Sequence, residues 1–105
     1  MKLEFLYFDG CPNHRHTLEI LKEVLEEENL YSEIYLVNVD SEEKAKELHF
    51  LGSPTIRING IDIEKESRSL TDFGMKCRIY VIEGKIIGVP SKEMIRDAIR
   101  DSNFY

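Results

Sequence analysis

The front of the chain narrows its folding options most. Leu3 to Phe8 is an apolar, aromatic run that ends at Asp9-Gly10. A run of that length closed by a turn signal reads as a largely buried strand. Cys11-Pro12-Asn13-His14 comes next. Proline suits the first helical position, so Pro12 makes Cys11 the expected N-cap of a helix reaching about Asn29. His14, Leu18, Leu21 and Leu25 fall on one stripe, with Ile20 and Val24 beside it. Glu19, Glu23, Glu26 and Glu27 face mostly elsewhere, which makes the helix amphipathic. Ile34 to Val39 is then a second strand, β-branched and apolar. Two strands joined by a helix run parallel with a right-handed crossover, which commits the chain to an α/β architecture.

The remainder fills in that architecture. Asp40-Ser41 offers a helix cap, and Glu42 to Phe50 is a short helix with Ala45 and Leu48 inward, stopped by Gly52. Ser53-Pro54 precedes Thr55 to Ile58, and Asn59-Gly60 is a two-residue hairpin turn into Ile61-Asp62-Ile63. Ile56, Ile58, Ile61 and Ile63 alternate onto one apolar face. Glu64 to Lys76 is polar and reads as a loop, and Cys77 to Ile82 reads as a strand that turns at Glu83-Gly84 into Lys85 to Ile87. Ser91 caps a last helix with Met94, Ile95, Ala98 and Ile99 inward, and Asp101 to Tyr105 reads as a frayed tail. With no repeat, low-complexity stretch or linker, residues 1–105 read as a single domain.

Composition excludes several roles. Hydrophobic residues make up 42% of the chain, enough for a core and too many for a disordered polymer. The 14 Lys and Arg against 20 Asp and Glu leave a net charge of 14 − 20 = −6. That balance argues against nucleic acid and against an anionic membrane surface as partners. No apolar run approaches the roughly 20 residues of a membrane span. Glu4 interrupts the apolar start and no small-residue cleavage site follows, so a signal peptide is not expected and the cytoplasmic compartment is. Two cysteines, Cys11 and Cys77, are too few for a disulfide scaffold.

Three segments in this order resemble the thioredoxin superfamily, in particular its small glutaredoxin-like members. Cys11-Pro12 stands where the first strand meets the first helix. Ser53-Pro54-Thr55 precedes the third strand, and Thr55 to Ile63 matches the hairpin of that family. The resemblance covers residues 1 to about 63 and the last helix. It implies a thioredoxin-like fold, a mixed four- to five-stranded sheet with helices on both faces, and a cis-proline at Pro54 opposite Cys11. It also implies thiol–disulfide exchange with a protein or small-molecule thiol or disulfide, and no cofactor. Cys-Pro-Asn-His replaces the C-x-x-C motif, so His14 stands where the family has its second thiol. Gly10 replaces an aromatic residue, and Glu64 to Val89 is longer than the family usually carries.

A cysteine at a helix N-terminus meets free backbone N–H groups and the positive end of the helix dipole, which favours the thiolate. His14, one turn on, would supply an imidazolium beside it. Cys11 is then the expected nucleophile. Ser53, Pro54 and Thr55 frame a substrate groove. Cys77 is either a remote resolving thiol or a buried strand cysteine. A histidine on an apolar stripe also packs without chemistry, and His16 points away from the core.

Two other classes stay open. Cys11 and Cys77 are ligand types for a soft ion such as mercury or copper(I). His14 and His16 lie about 200° apart around a helix and do not converge with them. Gly52 to Thr55 and Cys77-Arg78-Ile79-Tyr80 also resemble short proteins related to organomercurial lyases, which use two cysteines and an acid, a part for which Asp9 is nearest. The third class is a non-catalytic binding module that keeps the fold. Asp40 and Asp62 carry no mark of an acid/base pair, and no pattern selects an oligomeric state.

Overall fold

The first strand, β1 (Leu3–Tyr7), divides its side chains between two cores. A computed structural model describes residues 1–102. After β1 come α1 (His14–Glu27), β2 (Ile34–Asn38), α2 (Glu42–Glu47), β3 (Thr55–Ile58) and β4 (Ile61–Asp62). A 3-10 turn at Lys65–Ser67 leads toward β5 (Tyr80–Ile82), β6 (Lys85–Ile87) and α3 (Lys92–Ser102). The four-stranded sheet has the order β2-β1-β3-β4. β1 is parallel to β2 and antiparallel to β3, and β3 is antiparallel to β4. The α/β class with a mixed sheet is therefore as the sequence indicated.

Successive strand residues face opposite sides, and this places the helices. Leu3 and Phe5 pack with Leu21, Val24 and Leu25 of α1, Ile56 and Ile58 of β3, and Ile95 and Ile99 of α3. Leu6 goes the other way, into a smaller core with Val39, Ala45 of α2 and Phe50. Each fully buried aliphatic or aromatic side chain contributes about 1.5–3 kcal/mol of transfer free energy. Helices thus cover both faces of the sheet. Lys92 to Glu23 and Glu27, Arg96 to Glu27, and Arg100 to Glu28 tie α3 to α1 at the surface. The Ser41 and Ser91 hydroxyls each accept a backbone N–H at 3.1 Å, from Lys44 and Met94, as their positions suggested.

Several boundaries move. Cys11 is not the cap of α1. Its N–H donates to the Phe8 carbonyl at 3.1 Å, closing a turn that keeps it outside the helix, and Asn13 occupies the cap position. The buried stripe of α1 is Thr17, Leu21, Val24 and Leu25, with His14 only half-buried. α2 ends before Gly52. His49 adopts a φ of 54°, and the N–H groups of His49 and Phe50 return to the Lys46 and Ala45 carbonyls. That double return is the left-handed helix stop usually given to glycine.

The hairpin at Asn59-Gly60 has φ of 53° and 81°, the paired positive values that a two-residue turn needs. Ile56, Ile58 and Ile63 are buried, but Ile61 is 53% exposed. It sits beside the turn on the edge strand, where the sheet has no further neighbour. The strand expected from Cys77 begins a ladder only at Tyr80, with a single isolated bridge at Cys77, and β5 and β6 form a separate two-stranded ribbon. Asp101 and Ser102 continue α3 and do not fray, and the rest of the expected tail lies outside the described residues.

Candidate functional site

The turn after β1 places Cys11 between the end of that strand and the start of α1. Cys11 is 3% exposed, and its thiol donates to the Ser53 carbonyl at 3.4 Å. The Ser53 hydroxyl accepts the Phe8 N–H at 3.4 Å, so Ser53 is held against the whole β1–α1 turn. The Ser53–Pro54 peptide bond is cis. Ser53, Pro54 and Thr55 are all buried.

Ser53 also anchors the far segment. Its N–H donates to the Lys76 carbonyl at 2.8 Å, and the Arg78 N–H donates to the Ser53 carbonyl at 2.9 Å. These two bonds make an isolated parallel bridge between Ser53 and Cys77. The bridge sets the Cys77 backbone beside Ser53, whose carbonyl also accepts the Cys11 thiol. Cys77 is exposed, and both cysteines are free thiols. The approach is close enough to require glycine at position 52. That residue has φ of 121°, and a Cβ there would stand 2.9 Å from the Lys76 carbonyl oxygen.

His14 takes a different place. Its ring stacks on Tyr7, centroids 4.8 Å apart and planes 22° apart. His16 is exposed. Asp9 is exposed and accepts from the Asn38 side chain at 3.4 Å. The structure thus brings Cys11, Ser53 and Cys77 together, and sets His14 on the strand side of the junction.

Below the bridge lies a buried ionic network that the sequence did not reveal. Arg78 is 4% exposed. Its guanidinium donates to both Asp62 carboxylate oxygens, at 2.6 and 2.8 Å, and to the Thr55 hydroxyl at 3.1 Å. Glu64 lies 3.4 Å away on the same guanidinium and accepts the Val81 N–H at 3.0 Å. The Ser67 hydroxyl donates to Glu64 as well. The guanidinium stacks on Tyr80 at 4.4 Å, and the Tyr80 hydroxyl donates to the Pro54 carbonyl at 2.5 Å.

The electrostatics follow from this burial. Desolvation works to lower the Arg78 pKa, yet the Asp62 hydrogen bonds and the surrounding negative groups hold it above the ordinary guanidinium value. Burial pushes the Tyr80 phenol well above its ordinary value, with Arg78 opposing. Cys11 is near enough that its negative charge would add to that upward push. No buried side-chain polar atom among the described residues lacks a partner.

Two sequence signals pointed here without being specific. Asp62 and Glu64 are two apart, and so are Arg78 and Tyr80, each pair on one face of an extended segment. Charges at that spacing ordinarily face water, and only the long-range packing of 76–80 over β3 and β4 buries them.

A mixed sheet with helices on both faces, carrying two free cysteines about one buried serine, defines a small α/β protein with a paired-thiol candidate site. The chain belongs to the family described as Domain of unknown function (DUF2703), whose model matches residues 9–99. That span includes Cys11, Ser53, Cys77 and the Arg78 network. No curated protein and no solved structure matches the chain significantly. Among the described residues, no helix is long and apolar enough to cross a membrane, and no three His, Cys, Asp or Glu residues are grouped to hold a metal ion.

Proposed function

We propose that this chain is a thioredoxin-like protein of thiol–disulfide exchange whose working thiols are Cys11 and Cys77. The observation that carries this reading is their convergence on Ser53, one through its thiol and the other through its backbone. The sheet order, the strand directions and the position of Cys11 after β1 support the thioredoxin-like assignment. In that family's usual motif the second thiol follows on the same helix. Here His14 fills that position and packs on Tyr7, and the second thiol arrives from the segment after β4.

Exchange proceeds by thiolate attack on a disulfide sulfur to give a mixed disulfide, which a second thiol then resolves. The partner is a protein or small-molecule disulfide. The test is equilibration of the protein across a graded glutathione redox buffer, followed by alkylation and intact mass measurement. An internal Cys11–Cys77 disulfide at a defined potential is the expected result. Two free thiols at the most oxidising ratio would sink the proposal.

The same convergence supports a second reading. With no third ligand grouped beside them among the described residues, two thiolates suit a two-coordinate soft ion such as mercury(II) or copper(I), carried as cargo. A tight equimolar complex that survives competition by excess glutathione, with no internal disulfide in the redox series, favours this reading over exchange.

A further inference from the structure

The two thiols differ in access, and this sets the order of events. Resting on the exchange reading, we infer that Cys77 is the thiol that meets the incoming disulfide, and that Cys11 is the resolving thiol. Cys11 is 3% exposed, with its thiol turned onto the Ser53 carbonyl. Its neighbours Ser53, Pro54 and Thr55 are buried in turn, held by the Arg78 backbone, the Tyr80 hydroxyl and the Arg78 guanidinium. A disulfide must reach the attacking sulfur for exchange to occur. Cys77 offers that access and Cys11 does not.

The chemistry balances in two steps with a low-molecular-weight disulfide as oxidant. The Cys77 thiolate attacks one sulfur of the disulfide. A Cys77–substrate sulfur bond forms, the substrate S–S bond breaks, and the released thiolate takes up the proton that Cys77 gave to solvent. Cys11 then attacks the Cys77 sulfur. A Cys11–Cys77 bond forms, the mixed disulfide breaks, and the second substrate thiolate leaves with the proton from Cys11. The protein dithiol is oxidised by two electrons, and one disulfide is reduced to two thiols. The leaving group departs from the exposed side of the bridge. The buried thiol is meanwhile shielded from oxidation beyond the disulfide.

Glutathione disulfide is the probe. The reduced protein, C11S and C77S are each mixed with it, acid-quenched over time and peptide-mapped. Wild type should show a transient glutathione adduct on Cys77 before the internal disulfide appears. C11S should stop at a stable Cys77 adduct. C77S should take up glutathione at least about tenfold more slowly than C11S, because its remaining thiol is occluded. The wild-type trap needs no variant to fold. An adduct that appears first on Cys11 and still proceeds to the internal disulfide overturns the order and leaves the exchange reading standing. Thiols that both stay unmodified in the folded protein, yet react in urea, overturn the inference and the exchange reading together.

Discussion

Arg78 donates its backbone N–H to the Ser53 carbonyl at 2.9 Å while its side chain is buried against Asp62. One residue thus joins the candidate thiol site to the most heavily charged part of the interior. The Ser53 carbonyl accepts the Cys11 thiol as well, so its position is set from two directions. Cys77 is the next residue toward the N-terminus, and its backbone shares that anchorage.

Removing the Arg78 guanidinium leaves Asp62 and Glu64 buried without their cation. Arg78→Met is expected to cost about 3–5 kcal/mol, the usual range when one partner of a buried ion pair is deleted. Arg78→Lys should recover only part of the loss, because a single ammonium cannot reproduce the paired contacts to both Asp62 oxygens. Urea unfolding of the three proteins measures this, with equal denaturant slopes confirming that the native state is comparable.

Tyr80→Phe deletes the donor to the Pro54 carbonyl and leaves a buried acceptor unpaired, at about 1–3 kcal/mol. It should also change the alkaline limb of stability. Burial raises the Tyr80 pKa above its ordinary 10.0, so the folded state holds the phenolic proton after the unfolded chain has released it. The stabilisation is complete below pH 10 and declines as pH rises beyond it, by up to about 1.4 kcal/mol per pH unit. The Phe variant should show a shallower decline above pH 10. An identical alkaline slope in both proteins would remove Tyr80 as the cause.

Two glycines with positive φ should respond differently to substitution. Gly52→Ala combines a φ of 121° with a Cβ 2.9 Å from the Lys76 carbonyl oxygen, and is expected to lose at least about 2 kcal/mol. Gly60 has a φ of 81° and open space around it, so Gly60→Asn should cost under about 1 kcal/mol. Thermal unfolding of the pair provides the comparison. Gly52→Ala should in addition speed alkylation of Cys11, because the bonds from Lys76 and Arg78 that hold its acceptor Ser53 in place are disturbed.

The α1–α3 seam should weaken in acid. Hydrogen bonds from Lys92 and Arg96 lower the Glu27 pKa below 4.5, and those from Arg100 lower that of Glu28. A lowered carboxylate pKa contributes stability that is present above pH 4.5 and lost as pH falls through the folded value. Glu27 is exposed and Glu28 half-buried at the surface, so the contribution is small and sensitive to salt. Glu27→Gln should flatten the stability profile below pH 4.5, and the difference from wild type should shrink in 1 M NaCl.

The parts of this fold legible in the sequence are those that local chemistry decides. Apolar periodicity placed β1, α1 and β2, the Asn59-Gly60 pair placed the hairpin, and the Ser41 and Ser91 hydroxyls capped their helices. The start of α1 lies two residues beyond the expected one, because proline at a first helical position is only a preference and the Phe8–Cys11 turn outweighs it. His49 showed no sign of stopping a helix, since its positive φ is enforced by the returning hydrogen bonds and the packing of Phe50. Within the site, Cys11, Ser53 and Cys77 were each identifiable, but their convergence was not. It depends on Arg78 being buried, and an arginine between Cys77 and Ile79 gives no local reason to be inside.

Asp62, Glu64 and Arg78 come from two stretches of chain that neither helices nor the main sheet hold together. Their burial converts a surface crossing into a rivet, and the residue beside the rivet is a cysteine open to water. Flexible loops commonly trade accuracy for reach. This segment is anchored instead: Cys77 stands in solvent while its backbone is bridged to Ser53 and its neighbour Arg78 is buried against Asp62.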